Sequence, residues 1–322
     1  PWIDEFVPEA GRINSIEQFK GGQSNPTYKI VTESKNLVLR RKPPGKLLPS
    51  AHAVDREYKV ITALYETDVP VPKTYGLCED DEIAGTAFFV MDFLDGDLFW
   101  NPMIPSLSNQ DRTEIYQNKN KTLALLHGVD YKKIGLEDYG KPGNYVARQV
   151  ARWSKQYRAS ETDDIEAMNN LIDWLPKNIP DDDETSIVHG DYRLDNMILK
   201  NNQVMGILDW ELSTLGHPIA DFSYHCLSWR TQEAFWDQAK LKELGVPSEK
   251  EYMDMYCENT GKDLSKNWEF YMAFNMFKIA GILQGILGRV RDGTASSKHA
   301  EDRGMMVYPL SQAAWDTIKN NF

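Results

Sequence analysis

The alternation of apolar and polar positions changes character partway along the chain. Up to about residue 95 the apolar runs are short. Tyr28-Lys29-Ile30-Val31 and Leu37-Val38-Leu39 read as strands joined by a hairpin across 32–36, and 87–93 reads as another strand. Pro43-Pro44-Gly45 interrupts them. Val54, Tyr58, Ile61 and Tyr65 then recur at helical spacing, which predicts a helix over 50–65, ended by Pro70 and Pro72. Beyond Leu94-Asp95-Gly96 the period lengthens. Helices are expected over 110–127, with Gly128 as the stop, and over 144–157, 165–175 and 268–290. One strand-like island interrupts them: Ile187-Val188, Met197-Ile198-Leu199, a turn at Asn201-Asn202, and 204–208. The expectation is an α+β chain, with a small antiparallel-sheet lobe over 1–95, a larger helical lobe over 96–322, and a cleft between them.

Composition narrows the function classes. Thirty-six Lys and Arg stand against 48 Asp and Glu, a formal charge of −12, which argues against broad electrostatic binding of nucleic acid. The acidic run 181–184 reads as a solvated loop. Cys78, Cys226 and Cys257 are far apart, so a disulfide framework or structural zinc site is not expected and a reducing, cytoplasmic setting is the default. The segment 271–290 is broken by Asn275, Lys278, Gln284 and Arg289, so it reads as a buried helix and no membrane partner is expected. The chain opens at Pro1 without Met or an apolar leader, so a start trimmed of targeting information remains open. Nothing in the pattern indicates an oligomeric state.

The strongest chemical signal is His189-Gly190-Asp191-Tyr192-Arg193-Leu194-Asp195-Asn196, held between two apolar strands. Asp209 follows thirteen residues after Asn196, at the end of Ile207-Leu208, and a hairpin turning at Asn201-Asn202 returns it toward Asn196. Phosphoryl transfer needs a carboxylate at the attacking hydroxyl, here Asp191, and hard oxygen ligands for Mg²⁺, here Asn196 and Asp209. The plainer reading of His-Gly-Asp is a turn between strands. His189 reads as a loop-positioning residue rather than a base.

These residues, with Ile207-Leu208-Asp209-Trp210-Glu211, resemble the aminoglycoside phosphotransferase (choline kinase-like) family. Ser213-Thr214-Leu215-Gly216-His217-Pro218-Ile219-Ala220-Asp221 is similar to a subgroup related to the kinase-like domain attached to some acyl-CoA dehydrogenases. Arg148-Gln149-Val150 with Trp153, and Leu283-Gln284-Gly285-Ile286, resemble that subgroup too. The resemblance covers nearly the whole chain. It implies a two-lobed, protein-kinase-like fold with ATP in the cleft, Asp191 as catalytic base, Asn196 and Asp209 as Mg²⁺ ligands, and Asp221 as an anchor of the catalytic loop. Phe88-Phe89-Val90-Met91-Asp92-Phe93 resembles the hinge strand, with backbone groups from Asp92 to Leu94 meeting adenine.

The first lobe adds its own candidates. Gly21-Gly22-Gln23-Ser24-Asn25-Pro26-Thr27 is a polar, Gly-rich loop before a strand, suited to cradle phosphates through Gly22, Ser24 and Asn25, or to form an ordinary turn. The next strand ends in Arg40, where the family usually has Lys. Arg40 or Lys42 is the candidate phosphate cation. Glu57, beside the apolar stripe of its helix, is the candidate partner; otherwise it is a surface Glu paired with Arg56 or Lys59. Arg193, Arg148 and Arg289, with Arg152 and Arg291, suit an anionic acceptor or line solvated helix faces, while Glu211 is a candidate contact to metal or acceptor and reads equally as a buried helix-start acid. The expected function is an ATP- and Mg²⁺-dependent phosphotransferase acting on a small-molecule hydroxyl, with a hydroxyacyl-CoA as the favoured acceptor. The alternatives are an aminoglycoside phosphotransferase and a kinase-like nucleotide-binding module without catalysis.

Overall fold

The computed structural model describes residues 2–19, 25–45, 52–231, 237–295, 297 and 299–322. They fall into two compact units. One comprises Pro1–Tyr139 with His189–Thr214, the other Gly140–Val188 with Leu215–Phe322.

The first unit is built on a five-stranded sheet in the order β1-β2-β3-β5-β4, with every pair antiparallel. The strands are β1 (Ile13–Gln18), β2 (Thr27–Thr32), β3 (Asn36–Arg41), β4 (Thr74–Cys78) and β5 (Phe88–Asp92). The expected hairpin across 32–36 is the β2–β3 turn. The period of two then sorts the side chains. Phe88 and Val90 of β5 enter a core with Trp2, Ile3, Val7, Ile30 and Leu37. Phe89 and Met91 face the other way, opposite their register partners Arg40 and Val38 of β3. Strand β5 lies between two neighbours with both faces covered, which is why it reads as an unbroken apolar run.

Helix α1 (Val54–Leu64) buries Val54, Glu57, Val60, Ile61 and Leu64, one stripe at helical spacing, and packs on β4 and β5. Helix α2 (Asn109–Gly128) begins with a capping box formed by Ser108 and Asp111 and ends at Gly128, as the sequence suggests. The hairpin of β7 (Met197–Lys200) and β8 (Gln203–Ile207) completes the unit. Its two turn residues, Asn201 (φ 52°) and Asn202 (φ 61°), are both left-handed, the conformation a two-residue hairpin loop requires and Asn tolerates. Strands β1 and β4 were not expected from the pattern. In β1 every residue but one is exposed, so no alternation marks it.

The second unit is helical: α3 (Tyr145–Ser160), α4 (Glu166–Trp174), α5 (Pro218–Cys226), α6 (Glu249–Thr260), α7 (Trp268–Arg291) and α8 (Val307–Asn321), with the short strand β6 (Ser186–Val188). Helix α7 packs against α3, α5 and α8. Its most apolar stretch is long enough to cross a membrane by length and composition, yet 67% of that stretch is buried inside the protein, the behaviour of a core helix. The acidic run is more engaged than a solvated loop. Asp182 accepts the Tyr271 hydroxyl, Asp183 accepts the Asn144 amide, and Glu184 pairs with Lys262.

Candidate active site

The loop after β6 is held by its first residue. His189 is fully buried; its Nδ1 accepts the Asp191 N–H (3.2 Å), so Nε2 carries the proton and donates to the Leu208 carbonyl (2.9 Å). Both ring nitrogens are thereby spent, and His189 ties the loop to the strand that leads to Asp209. Gly190 turns the chain at φ +84°, and a Cβ there would stand 2.9 Å from the Leu212 carbonyl oxygen, so any other residue would be strained and would force a shift.

Asn196 closes the loop. Its Nδ2 donates to the Asp191 carbonyl (2.9 Å) and to Asp191 Oδ2 (3.2 Å), which leaves the amide oxygen for another partner. Its own carbonyl accepts the Leu208 N–H (2.8 Å), and Met197 pairs with Ile207 in the hairpin. Backbone pairing thus brings Asn196 next to the Leu208-Asp209 step, as the hairpin reading anticipates. Asp209 itself sits at φ 63°, ψ 60°, a left-handed conformation that Asp adopts more readily than most residues. Burial raises the Asp191 carboxyl above its ordinary range, against the pull of Arg193, whose Nε lies 3.3 Å from Oδ1.

Arg40 reaches the same place from the sheet. Its Nε lies 2.9 Å from Glu57 Oε2 and its Nη2 2.5 Å from Asp209 Oδ1. Glu57 is 1% exposed and also accepts from Asn25 Nδ2 (2.7 Å). It is therefore not a surface Glu: Lys59 pairs with Asp138 instead, and Arg56 donates to the Tyr139 carbonyl. Burial pushes the Glu57 carboxyl up to about 7, outweighing the stabilising pull of Arg40. Lys42, the other candidate cation, pairs with Asp55. Asn25, expected at the phosphates, is buried behind Glu57 with its other amide end on His52 (3.1 Å). Gly22 and Ser24 lie outside the described residues.

Arg40, Glu57, Asn196 and Asp209 all line one cavity of about 310 Å³ within the first unit. Its remaining wall is largely apolar, with Val38, Phe89, Met91, Phe93, Leu94, Ile198 and Leu208 among the lining residues. Asp92 and Leu94 line it at the expected hinge. The Asp92 N–H, however, is taken by the Lys73 carbonyl, and its carboxylate by Tyr75 and Lys35. Sequence reasoning missed Thr27, Phe19, Leu98 and Trp100, which also line the cavity. Thr27 was legible in principle, because it is the β2 register partner of Arg40. Trp100, 71% exposed at the cavity, lies in a loop with no periodic signal.

The expected acceptor arginines fall in both compact units. Arg193 pairs with Asp191 and Asp195 beside the loop. Arg148, in the second unit, donates to the carbonyls of Gly143 and Lys141 and so serves its own helix start. Arg291 pairs with Asp163, and Arg289 lines a separate groove beside Trp153 and Gly285. Asp221 is buried on α5, and its charge adds to the burial that disfavours ionisation of Tyr145 and Tyr256. Glu211 follows Asp209 in the short turn Trp210–Leu212, where its charge acts on Arg40.

Comparison with known proteins gives this arrangement a family. A mouse relative, acyl-CoA dehydrogenase family member 10, is 45% identical over 306 residues, covering 93% of this chain and 29% of the relative. The chain thus spans under a third of that protein. A crystal structure from Ralstonia eutropha, provisionally called an aminoglycoside phosphotransferase, is 49% identical and superposes with a TM-score of 0.90 over 100% of this chain and 97% of that one. At 12% identity, an aminoglycoside phosphotransferase APH(4)-Ia variant in complex with ADP and hygromycin B shares the fold alone, with a TM-score of 0.65 over 98% of this chain and 99% of that one. The fold is thus the α+β, protein-kinase-like one that the sequence motifs imply. The family model described as APH, phosphotransferase enzyme family, matches residues 15–256, and the chain belongs to that family.

Proposed function

We propose that this chain transfers the terminal phosphoryl group of ATP, with Mg²⁺, to a hydroxyl of a small anionic molecule, a hydroxyacyl thioester of coenzyme A being the first choice. The observation that supports the reaction is that Asn196 lines the cavity with Asp209 and holds Asp191, which is not itself among the lining residues, through its side-chain amide. Asp191 orients the acceptor hydroxyl and takes its proton. Its Oδ2 is held by Asn196 and its Oδ1 faces Arg193, so the carboxylate cannot rotate freely. Burial keeps its proton affinity above that of an ordinary Asp, which suits a base that must accept a proton during transfer.

The donor set fits Mg²⁺. It offers one carboxylate, Asp209, and one amide oxygen, Asn196, whose NH₂ is already committed, with substrate phosphates supplying the balance. Bound there, the metal would neutralise charge on the phosphates. Arg40 adds a fixed cation at the same wall, and the apolar lining from Val38 to Leu208 suits a purine base. The acceptor class rests on kinship: the 45% identical mouse protein is named for acyl-CoA dehydrogenation, and this chain matches 29% of it. An aminoglycoside acceptor is the second reading, favoured by the name of the 49% identical Ralstonia structure.

The test is ADP release with ATP, Mg²⁺ and a panel of hydroxyacyl-CoA esters, free hydroxy acids and aminoglycosides. Turnover with the CoA esters alone is expected. Turnover with aminoglycosides alone would replace the first acceptor with the second. Asp191→Asn should keep nucleotide affinity and lose roughly 10²–10⁴-fold in turnover; unchanged turnover refutes its role.

A further inference from the structure

Arg40 does more in this structure than stand ready for phosphate. Strand pairing fixes its backbone between Thr27 of β2 and Phe89 of β5, and its side chain is 14% exposed. From that position one planar guanidinium holds two carboxylates at once, Glu57 through Nε and Asp209 through Nη2. A guanidinium presents several N–H groups in a rigid fork, whereas an ammonium is a point charge. Both carboxylates line the cavity, but only Asp209 is open, at 33% exposed; Glu57 is sealed at 1%. The carboxylate read above as a metal ligand is therefore already paired with an internal cation.

We propose that Arg40 is the resident counter-cation of Asp209, so that divalent metal binds there only together with a nucleotide whose phosphates take over the guanidinium. The inference rests on the metal reading of Asp209 given above. A divalent ion arriving alone meets a fixed positive charge on one oxygen of its ligand, in a half-buried site where water screens poorly. A triphosphate removes that obstacle by offering Arg40 another anion. Metal and nucleotide then favour each other's binding, and the coupling is reciprocal. The free protein gains a site that does not fill with metal in the absence of donor.

The experiment measures Mn²⁺ binding by electron paramagnetic resonance, without nucleotide, in the wild type, Glu57→Gln and the double variant Arg40→Gln/Glu57→Gln. The two variants both lack the buried carboxylate, so neither strands it unpaired, and they differ only at residue 40. Mn²⁺ alone should bind the double variant more tightly than Glu57→Gln by roughly 5–150-fold, the ordinary range of site-to-site coupling. Adding Asp209→Asn to the double variant should abolish the gain. Equal Mn²⁺ affinity in the two variants overturns the proposal. So does a tight nucleotide-free Mn²⁺ site in the wild type, a result that needs no variant to fold. A separate arm tests the reading underneath: Mn²⁺-dependent binding of AMP-PNP by the wild type. If Asp209→Asn leaves that binding unchanged, Asp209 is not a ligand and both readings fall together.

Discussion

Glu57 offers a pH-dependent prediction whose sign and size both follow from burial. Its carboxyl titrates near 7 in the folded protein, against an ordinary 4.5. The cause is desolvation: the side chain is 1% exposed, and the nearby Asp209 carboxylate adds to the effect. Arg40 and Asn25 pull the other way and do not fully compensate. Arg40 keeps its proton more firmly than usual, so the carboxyl is the member of the pair that titrates. A raised folded-state value means that the folded form binds the proton more tightly than the unfolded form. The stability this provides is complete below about 4.5 and is lost as pH rises through about 7. At about 1.4 kcal/mol per pH unit, that interval is worth roughly 3 kcal/mol. Glu57→Gln removes the titrating group while keeping an acceptor for Asn25. The free energy of unfolding by urea, measured for both proteins from pH 4.5 to 8, isolates the effect by difference. The variant should gain on the wild type by roughly 3 kcal/mol across that range. If the wild type instead gains on the variant as pH rises, Arg40 outweighs burial and the reasoning fails.

Three further outcomes are expected. Gly190→Ala should destabilise the chain by at least ~1–2 kcal/mol in thermal or urea unfolding, from the left-handed backbone alone and before the Leu212 carbonyl is displaced. Arg230→Met should cost about 2–4 kcal/mol in urea unfolding, because it leaves Glu249 and Glu269 facing each other half-buried without their shared cation. Trp100→Ala should weaken nucleotide binding by about 1 kcal/mol, roughly fivefold by calorimetry, with Trp100→Phe intermediate, if the exposed indole closes over the base in the cavity.

The geometry of the candidate site was legible in sequence wherever it lies on one continuous stretch. Asp191 and Asn196, five residues apart, and the Asn201-Asn202 turn that returns the chain toward Asp209 are local features, set by backbone pairing within a single hairpin. Helix periods were legible for the same reason: α1, α2, α3, α4 and α7 fall where the apolar spacing predicts them, to within a few residues. Strand β1 was invisible because its side chains are exposed and carry no alternation.

What the sequence could not decide depends on which distant groups share a low-dielectric space. Only packing shows that Arg40 spans both Glu57 and Asp209, 169 residues apart in the second case, or that Arg148 is spent on its own loop carbonyls. Only packing joins His189–Thr214 to Pro1–Tyr139 in one compact unit, where a change of secondary structure near residue 95 suggests a different division. Spacing along the chain determines which groups are neighbours through the backbone. Their charge state and pairing are set by burial, which no linear pattern records.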